Sequence, residues 1–261
     1  SNHLPFNAPK KYWDLYERNS IKQPENFNYI PEGAPKMSIS NWPEMRAYSN
    51  IPKKGQVSDS IAIDLIHGYY ATVSYVDALI GKILEELKEQ ELDQNTIVIL
   101  VSDHGYHLQE HTQWAKFTSY NTSIQVPLVI YNPFSKTKGT TKALTSLVDI
   151  YPTLAELCSL KVPENQLEGT SLAPILNDTN LEGKSHVFIK KTQAFTIKTR
   201  DFSYTEYIKP EDNSVIDKML YDHRISKSEN INIVHKIEFK KTVSDMNYLL
   251  HSEYQKNIVG N

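Results

Sequence analysis

Cysteine is almost absent from this sequence, which has a single one, Cys158, among 261 residues. One cysteine excludes an intrachain disulfide, a cysteine-based structural zinc site and a CxxC redox motif. Cys158 lies in the apolar helical pattern of residues 154–160, where a thiol usually packs as a small hydrophobic side chain, so we expect it to be buried. Glycine is also scarce, at nine residues. Each glycine is therefore a candidate for a special backbone position.

The chain also lacks the segments and charges that would direct it to a membrane or to nucleic acid. No apolar run approaches the ~20 residues of a transmembrane helix, and residues 1–5 lack the charged and apolar regions of a signal peptide. Lys and Arg number 28 against 31 Asp and Glu, a formal charge of −3, without a dense basic block. We therefore expect neither a membrane nor a nucleic-acid partner.

The composition nevertheless supports a folded protein. Hydrophobic residues make up 39% of the chain and aromatic residues 10%, which is enough to bury a core. The length fits one large domain or two small ones. The first 57 residues are rich in Pro, Asn and aromatic residues without sustained periodicity, so we expect an irregular covering segment with one short helix near 9–17.

A long amphipathic helix is the strongest pattern in the sequence. Apolar residues recur at steps of three and four from Ile61 to Leu87, which places them on one helical face. Ser58 or Asp59 is the expected N-cap of this helix.

Strands and a further helix follow. The continuous apolar run 96–101 predicts a strand buried on both faces, as in a parallel sheet, and the run 126–131 predicts a second strand. Asp149 is the expected cap of the next helix, which has Pro152 in its first turn. Strand, loop, strand and helix in this order indicate α/β layering.

After about residue 184 the pattern changes to short runs. Four of them predict strands of a small antiparallel sheet, and a helix is expected near 242–258. The strand candidates are 186–189, 194–199, 202–207 and 218–221. We therefore divide the chain into residues 1–183 and a small C-terminal α+β subdomain of residues 184–261.

A dense polar cluster follows the strand candidate 96–101. In open α/β sheets ligands bind beyond the carboxyl ends of the strands, so this is the first candidate site. Asp103 and His104 leave the strand directly, and Gly105 lets the chain turn away without a side chain in front of them. A carboxylate and an imidazole held in this way can bind a divalent cation, and Lys116 can face an anion. Taken singly, these residues are also typical of loop caps and solvated lysines.

A competing motif overlaps this cluster. Residues 107–111, His-Leu-Gln-Glu-His, have the His-x-x-Glu-His spacing of inverted zinc peptidases, which on a helix places two imidazoles on one face beside a glutamate base. Such a helix should stay amphipathic for two turns, whereas Thr112 and Gln113 continue no apolar stripe. His107 and His111 are therefore better explained as surface or packing residues, and His107 has no assigned role.

Four blocks in collinear order carry a family resemblance. Residues 102–116 contain Ser-Asp-His-Gly, Gln-Glu-His and Trp-Ala-Lys, followed by Val-Pro-Leu-Val-Ile-Tyr at 126–131. Further blocks are His-Leu-Pro-Phe at 3–6, Val-Asp-Ile-Tyr-Pro-Thr-Leu at 148–154 with Gly-Thr-Ser-Leu at 169–172, and Met-Leu-Tyr-Asp at 219–222 with Glu-Asn at 229–230. Together they resemble sulfatases of the alkaline phosphatase superfamily, in particular the iduronate-2-sulfatase branch.

The resemblance implies a fold, a metal and a reaction. The α/β fold would be a mixed sheet flanked by helices, with the small C-terminal subdomain described above. By resemblance Asp103 is a calcium ligand, and His104 faces both the metal and the sulfate. Lys116 would hold a sulfate oxygen as the S–O bond breaks, and His3 would line the substrate pocket. The expected reaction is hydrolysis of a sulfate ester on a sulfated carbohydrate, such as a glycosaminoglycan fragment.

Two departures from the family pattern matter. The family commonly has Gly where this chain has Gln109 and Thr112, so we expect this loop to follow a different path. The Cys-x-Pro/Ala-x-Arg motif, whose cysteine or serine becomes formylglycine, is not found, since Cys158 is followed by Ser-Leu-Lys-Val. We therefore expect a C-terminal portion of a sulfatase, with the formylglycine nucleophile upstream, in the missing N-terminal part of the same polypeptide.

Two alternatives stay open. A phosphodiesterase or phosphomonoesterase of the same superfamily would share Asp-His-Gly, and a sulfatase-derived binding domain would have lost catalysis. For a sulfatase portion, we expect the isolated chain to be inactive and to bind calcium weakly, because Asp103 and His104 supply only part of a shell of about six to eight ligands. The compartment expected by resemblance is the bacterial periplasm or the lysosome.

Overall fold

The computed structural model describes residues 3–163 and 166–256. Six α-helices and six strands lie within this part of the chain. The helices are α1 (Lys10–Trp13), α2 (Asp59–Glu89), α3 (Asn121–Ile124), α4 (Ile150–Leu157), α5 (Ala173–Asn177) and α6 (Lys240–Tyr254). The strands are β1 (Val98–Val101), β2 (Leu128–Tyr131), β3 (Val187–Lys191), β4 (Ala194–Lys198), β5 (Phe202–Ile208) and β6 (Val215–Asp222). None of these helices has the length and apolar character needed to cross a bilayer.

The chain forms two compact units. One contains the chain up to Pro31 together with Ser38–Phe134, and the other contains Glu32–Met37 together with the chain from Ser135 onward. The predicted division at 183/184 stays a prediction, since the small sheet begins at Val187 whereas the units divide after Phe134.

The first unit is built around α2, and the long helix predicted there is confirmed. Ser58 is its N-cap, with a side chain that accepts a hydrogen bond from the Ile61 amide at 3.4 Å. The irregular first segment packs on this helix, and α1 within it is shorter than the predicted 9–17. The two share one apolar cluster, whose buried members are Phe6, Trp42, Met45, Ile51, Val57, Ala62, Ile66 and Trp114.

β1 and β2 form a two-stranded sheet, but the prediction of a doubly buried strand in a parallel sheet is wrong. The strands pair antiparallel, with Leu100 opposite Val129 and Val98 opposite Tyr131. Directly opposed residues share a face of the sheet, and on this face Leu100, Val129 and Tyr131 are exposed. A continuous apolar run indicates that both faces of a strand can pack against apolar groups. It does not indicate which strand pairs with it or in which direction.

The second unit contains the predicted four-stranded antiparallel sheet, which is confirmed. The strand order is β3-β4-β5-β6, so each strand pairs with its neighbour in sequence. Helix α6 packs against the sheet, and residues 257–258 of the helix predicted there lie outside the described residues. The buried core side chains are Phe195, Ile197, Tyr204, Ile208, Leu220, Ile233, Val234, Met246 and Leu250.

Asp149 is the N-cap residue of α4, as predicted, but its side chain makes no capping hydrogen bond to that helix. Ser146 and Asp149 form a capping box around a short 3₁₀-helix, Leu147–Asp149, that leads into α4. The Asp149 carboxylate is fully buried and accepts from the amides of Ser146 and Thr170, each at 2.8 Å. It also pairs with Lys184 Nζ at 2.6 Å. The Thr170 contact therefore joins the sequence blocks 148–154 and 169–172, both of which carried the family resemblance.

Cys158 is exposed, so its predicted burial is wrong. It is the C-cap residue of α4, and Ser159 follows with a φ of 54°. The Ser159 amide donates to the Glu156 carbonyl and the Leu160 amide to the Ala155 carbonyl. This hydrogen-bond pattern is that of a Schellman motif, which turns the chain out of the helix and leaves the thiol at the surface.

Candidate active site

The loop after β1 folds back on itself. The amides of His107 and Gln109 donate to the carbonyls of Ala115 and Gln113, each at 2.8 Å. This hairpin-like stem returns Lys116 to the end of β1. The predicted site residues of the loop are thereby brought to one place.

Gly105 allows a close backbone approach at this point. Its amide donates to the Ser123 carbonyl at 2.8 Å. A Cβ atom at residue 105 would lie 2.0 Å from the Thr122 carbonyl oxygen, well inside van der Waals contact. The absence of a side chain therefore lets two backbone segments meet directly after Asp103 and His104.

We expect Gly105→Ala to lower the free energy of unfolding by at least about 2 kcal/mol, because the backbone has to shift to relieve the overlap. Urea denaturation followed by circular dichroism measures the change. Gly81→Ala is the matched control, since a Cβ there meets nothing within 4 Å, and alanine is a better helix former than glycine. Wild-type stability of the Gly105→Ala variant would contradict the close approach.

A carboxylate oxygen of Asp103 and an imidazole nitrogen of His104 lie close to each other. His104 Nδ1 lies 2.8 Å from the Gly105 carbonyl oxygen. A carbonyl oxygen only accepts, so Nδ1 carries a proton, and in the neutral imidazole Nε2 keeps its lone pair. That Nε2 lies 3.6 Å from Asp103 Oδ2, on a carboxylate that is 85% exposed. The other carboxylate oxygen, Oδ1, accepts from the His104 amide at 3.0 Å.

This pair fits a divalent cation as part of a coordination shell. The two atoms are close enough to approach one ion, and the Gly105 carbonyl fixes the imidazole tautomer as outer-shell partners do at metal sites. Within residues 3–163 and 166–256, no three His, Cys, Asp or Glu side chains gather in a way that could hold a metal ion. Calcium takes about six to eight ligands, so further ligands have to come from water, substrate or other polypeptide.

Lys116 and His3 form a second group, together with a residue that sequence reasoning missed, Glu44. Lys116 Nζ lies 2.8 Å from His3 Nε2 and 3.3 Å from Glu44 Oε2. His3 Nδ1 donates to the Leu4 carbonyl at 2.9 Å, so Nε2 of the neutral imidazole accepts from the lysine. Glu44 Oε1 lies 3.0 Å from the same Nε2. The lysine ammonium is thus fixed by two partners.

Both groups line one cavity of about 190 Å³ in the first unit. Tyr69 of α2 and Tyr106 also line it, and Phe6 packs edge-on against both rings. Burial and the Glu44 carboxylate raise the pKa of the Tyr106 hydroxyl above its usual range, so this tyrosine stays protonated. The cavity brings together all four predicted site residues: His3, Asp103, His104 and Lys116.

His107 and His111 are packing residues of the loop, and the zinc-peptidase alternative is wrong. The segment forms a 3₁₀ turn, Glu110–Thr112, with a left-handed φ of 55° at His111, so it has no helical face. His107 is fully buried, with Nε2 2.9 Å from Thr118 Oγ1. Burial and the neighbouring His111 lower the pKa of His107 to about 3, and burial lowers the pKa of His111 to about 4. Both imidazoles are therefore neutral at pH 7.

Gln109 and Thr112 stand where the family commonly has Gly. Their φ values are 83° and 64°, in the left-handed region that glycine favours. The Gln109 side chain is buried and accepts from Gln23 Nε2 at 2.9 Å, a contact that helps to hold the turn. The expected change of loop path finds no support in these torsion angles.

The sequence matches family models over nearly its whole length. A model of the sulfatase family matches residues 1–160, and a model of the C-terminal region of N-sulphoglucosamine sulphohydrolase matches residues 109–256. The chain belongs to the sulfatase family. The resemblance carried by the four sequence blocks is thereby confirmed.

Similar curated proteins are sulfatases. Mouse iduronate 2-sulfatase is 26% identical over 251 residues, which cover 80% of this chain and 44% of the relative. A sulfatase of Formosa agariphila is 30% identical over 260 residues, 95% of this chain and 47% of the relative. Human arylsulfatase K is 31% identical over 197 residues, 70% of this chain and 36% of the relative. The matched part is less than half the length of each relative.

Solved structures share the fold. A protein in complex with its substrate D-glucosamine-2-N,6-O-disulfate aligns with a TM-score of 0.80 and 22% identity, over 99% of this chain and 64% of that one. The phosphonate monoester hydrolase of Silicibacter pomeroyi aligns with a TM-score of 0.78 and 20% identity, over 98% of this chain and 54% of that one. These likenesses confirm the predicted α/β fold class and, at such identities, bear on the fold alone.

Proposed function

We propose that this chain is the C-terminal portion of a sulfatase that hydrolyses sulfate esters of carbohydrates, such as glycosaminoglycan fragments, in the manner of an iduronate-2-sulfatase. The observation that carries the proposal is the single cavity in which the Asp103 and His104 pair lies beside Lys116. Membership of the sulfatase family supports a sulfuric ester hydrolase. By resemblance, the proposed compartment is the bacterial periplasm or the lysosome.

Each side chain of the cavity has its own role in the proposed reaction. Asp103 and His104 would hold calcium, and the bound ion would polarise the sulfate oxygens. Lys116 binds a sulfate oxygen and stabilises the charge that develops as the S–O bond breaks. His3 lines the pocket and orients the lysine through the contact between Nε2 and Nζ.

The nucleophile, a formylglycine, is proposed to come from polypeptide outside these 261 residues. Cys158 supports this, because it has neither Pro, Ala nor Arg after it in the required places. The matched part covers less than half of each curated relative, which also supports a nucleophile in further polypeptide.

Initial rates with three aryl esters distinguish the sulfatase from a phosphoesterase of the same superfamily. We expect the full-length protein that carries this chain to hydrolyse 4-nitrophenyl sulfate faster than 4-nitrophenyl phosphate or bis(4-nitrophenyl) phosphate. Preference for either phosphate ester would replace the proposal by a phosphomonoesterase or phosphodiesterase. No turnover of any ester would favour a binding domain without catalysis.

The N-terminal part of the same polypeptide is the proposed partner of the apolar β1–β2 face, defined by Leu100, Val129 and Tyr131. These side chains are 43%, 57% and 45% exposed, which is high for apolar residues of a strand. A two-stranded sheet is marginally stable by itself, and an uncovered apolar face is typical of an interaction site. Because the matched part is less than half of each curated relative, ample further polypeptide exists in them to cover such a face.

We expect the isolated 261-residue chain to show no turnover of 4-nitrophenyl sulfate, with or without added calcium, because it lacks the proposed nucleophile and most of the metal shell. Activity should return when the separately produced N-terminal part is added. Replacing Val129 by lysine should prevent that recovery, whereas replacing the exposed Ile225 of the second unit should not. Appreciable turnover by the isolated chain would contradict the proposal.

A further inference from the structure

Glu44 lines the cavity but has no role of its own in the reaction proposed above. It precedes the 3₁₀-helix Met45–Ala47, and its carbonyl accepts from the Ala47 amide at 3.2 Å. The neighbouring side chains of Trp42 and Met45 belong to the apolar core of the first unit and are 3% and 1% exposed. The backbone that carries the Glu44 carboxylate is therefore fixed by packing on both sides.

The Glu44 carboxylate is shared between two basic groups. Its Oε2 lies 3.3 Å from Lys116 Nζ, and its Oε1 lies 3.0 Å from His3 Nε2. Because Lys116 Nζ and His3 Nε2 are 2.8 Å apart, the three groups form a closed triangle of contacts. The other carboxylate that lines the cavity belongs to Asp103, and it contacts His104 instead. Among the side chains that line the cavity, Glu44 thus supplies the carboxylate that meets the lysine.

These contacts order the Lys116 side chain before any substrate arrives. A lysine has a flexible four-carbon stem and loses conformational freedom when its ammonium is held. The Lys116 side chain is only 11% exposed, and Glu44 and His3 restrict it further. The ammonium therefore needs little rearrangement when negative charge develops on a sulfate group. Without Glu44, more of this ordering would have to occur during the reaction.

The same carboxylate weakens the attraction of the Lys116 ammonium for a bound anion. Its negative charge lies next to the ammonium and opposes the approach of sulfate. The Glu44 side chain is 35% exposed, so solvent screens this repulsion. Loss of Glu44 should therefore slow the reaction without weakening the binding of sulfate. This is the pattern of an interaction that acts in the transition state.

We propose that Glu44 is a positioning residue, which holds the Lys116 ammonium, directly and through His3, where the sulfate group reacts. The carboxylate acts on the reaction through the lysine and makes no contact with the reacting atoms. This inference rests on the proposed function of the cavity as a sulfate ester site. Because every sulfate ester would use the same lysine, the proposed substrate class is unaffected.

Glu44→Ala tests the proposal in the full-length protein. We expect kcat/KM for 4-nitrophenyl sulfate to fall by at least about threefold, while the inhibition constant of inorganic sulfate stays the same or falls. Glu44→Gln keeps the shape and an acceptor oxygen, so its kcat/KM should lie between those of the wild type and Glu44→Ala. Wild-type kcat/KM in Glu44→Ala would overturn the proposal. So would an inhibition constant that rises by the same factor as kcat/KM falls.

A double-mutant cycle measures whether Glu44 acts through Lys116. In the Lys116→Ala background, Glu44→Ala should change kcat/KM by less than about twofold, because the group that it positions is gone. A loss as large as in the wild-type background would indicate general damage or a direct contact with the substrate, and the proposal would be wrong. Glu89→Ala is the matched control, since Glu89 is exposed at the end of α2 and does not line the cavity. Its kinetics should equal those of the wild type.

Crystal structures of the full-length wild type and Glu44→Ala separate this inference from the proposed function. If the wild type hydrolyses no sulfate ester, the proposed sulfatase activity fails, and the position of Lys116 still decides on Glu44. We expect Lys116 Nζ in Glu44→Ala to move by about 1 Å or more, or to occupy several positions. An ammonium that keeps its wild-type place would overturn the proposal. Glu44→Gln is the second variant, should Glu44→Ala not fold, and the same comparison then applies to it.

Discussion

Replacing Lys116 by alanine is expected to lower kcat/KM of the full-length protein for an aryl sulfate by at least about tenfold. His3 and Glu44 fix the lysine ammonium, and the Lys116 side chain is only 11% exposed. A charge held in this way is already placed to stabilise the negative charge that develops on the sulfate, so its loss removes transition-state stabilisation. Steady-state kinetics with 4-nitrophenyl sulfate measure the change.

Lys82→Ala is the matched control for this measurement. Lys82 is an exposed residue of α2 and does not line the cavity. The Lys82→Ala substitution removes the same charge and the same side chain, but outside the cavity. The kinetics of this variant should therefore equal those of the wild type. Unchanged kinetics of Lys116→Ala would remove Lys116 from the site.

Asp149→Ala is expected to have the largest effect on stability, a loss of about 3 kcal/mol or more in the free energy of unfolding. The carboxylate is fully buried and has three partners: the Lys184 ammonium and the amides of Ser146 and Thr170. Alanine would leave the Lys184 ammonium and the two amides without their acceptor at a partly buried place, which costs more than the loss of one exposed hydrogen bond. Urea denaturation of the wild type and the variant measures the difference.

Asp245→Ala provides the comparison for Asp149→Ala. Asp245 also pairs with a lysine, Lys241, but both side chains are largely exposed on α6. Exposed ion pairs contribute little to stability, so the denaturation midpoint should hardly move. Similar midpoints for the two variants would show that the buried network around Asp149 does not hold the second unit together.

The parts of the site that the sequence revealed lie in one loop. Asp103 and His104 follow a strand candidate directly, and Lys116 belongs to the same loop, so position and chemistry pointed to them together. His3 was reached only through the family resemblance, because it meets Lys116 across 113 residues of sequence. Glu44 was missed because it lies 72 residues from Lys116, in a segment without periodicity or motif. Such contacts depend on how the first segment packs against α2.

The fold shows the same division between local and distant signals. The period of α2, its Ser58 cap and the short runs of the small sheet are local, and the structure confirms the elements that they predicted. The pairing of β1 depends on a distant strand, so an apolar run could not reveal its antiparallel direction. Cys158 was predicted wrongly because the left-handed Ser159 that ends α4 has no clear signal in the sequence.

The position of a bound sulfate ester tests the proposed site most directly. In a crystal structure of the full-length protein with calcium and a slowly hydrolysed sulfate ester, a sulfate oxygen should lie about 3 Å from Lys116 Nζ, with the ion held by Asp103 and His104. The contrary result is an ester bound elsewhere, for instance beside Lys184 and Arg200 in the second unit, while the cavity of Lys116 stays empty.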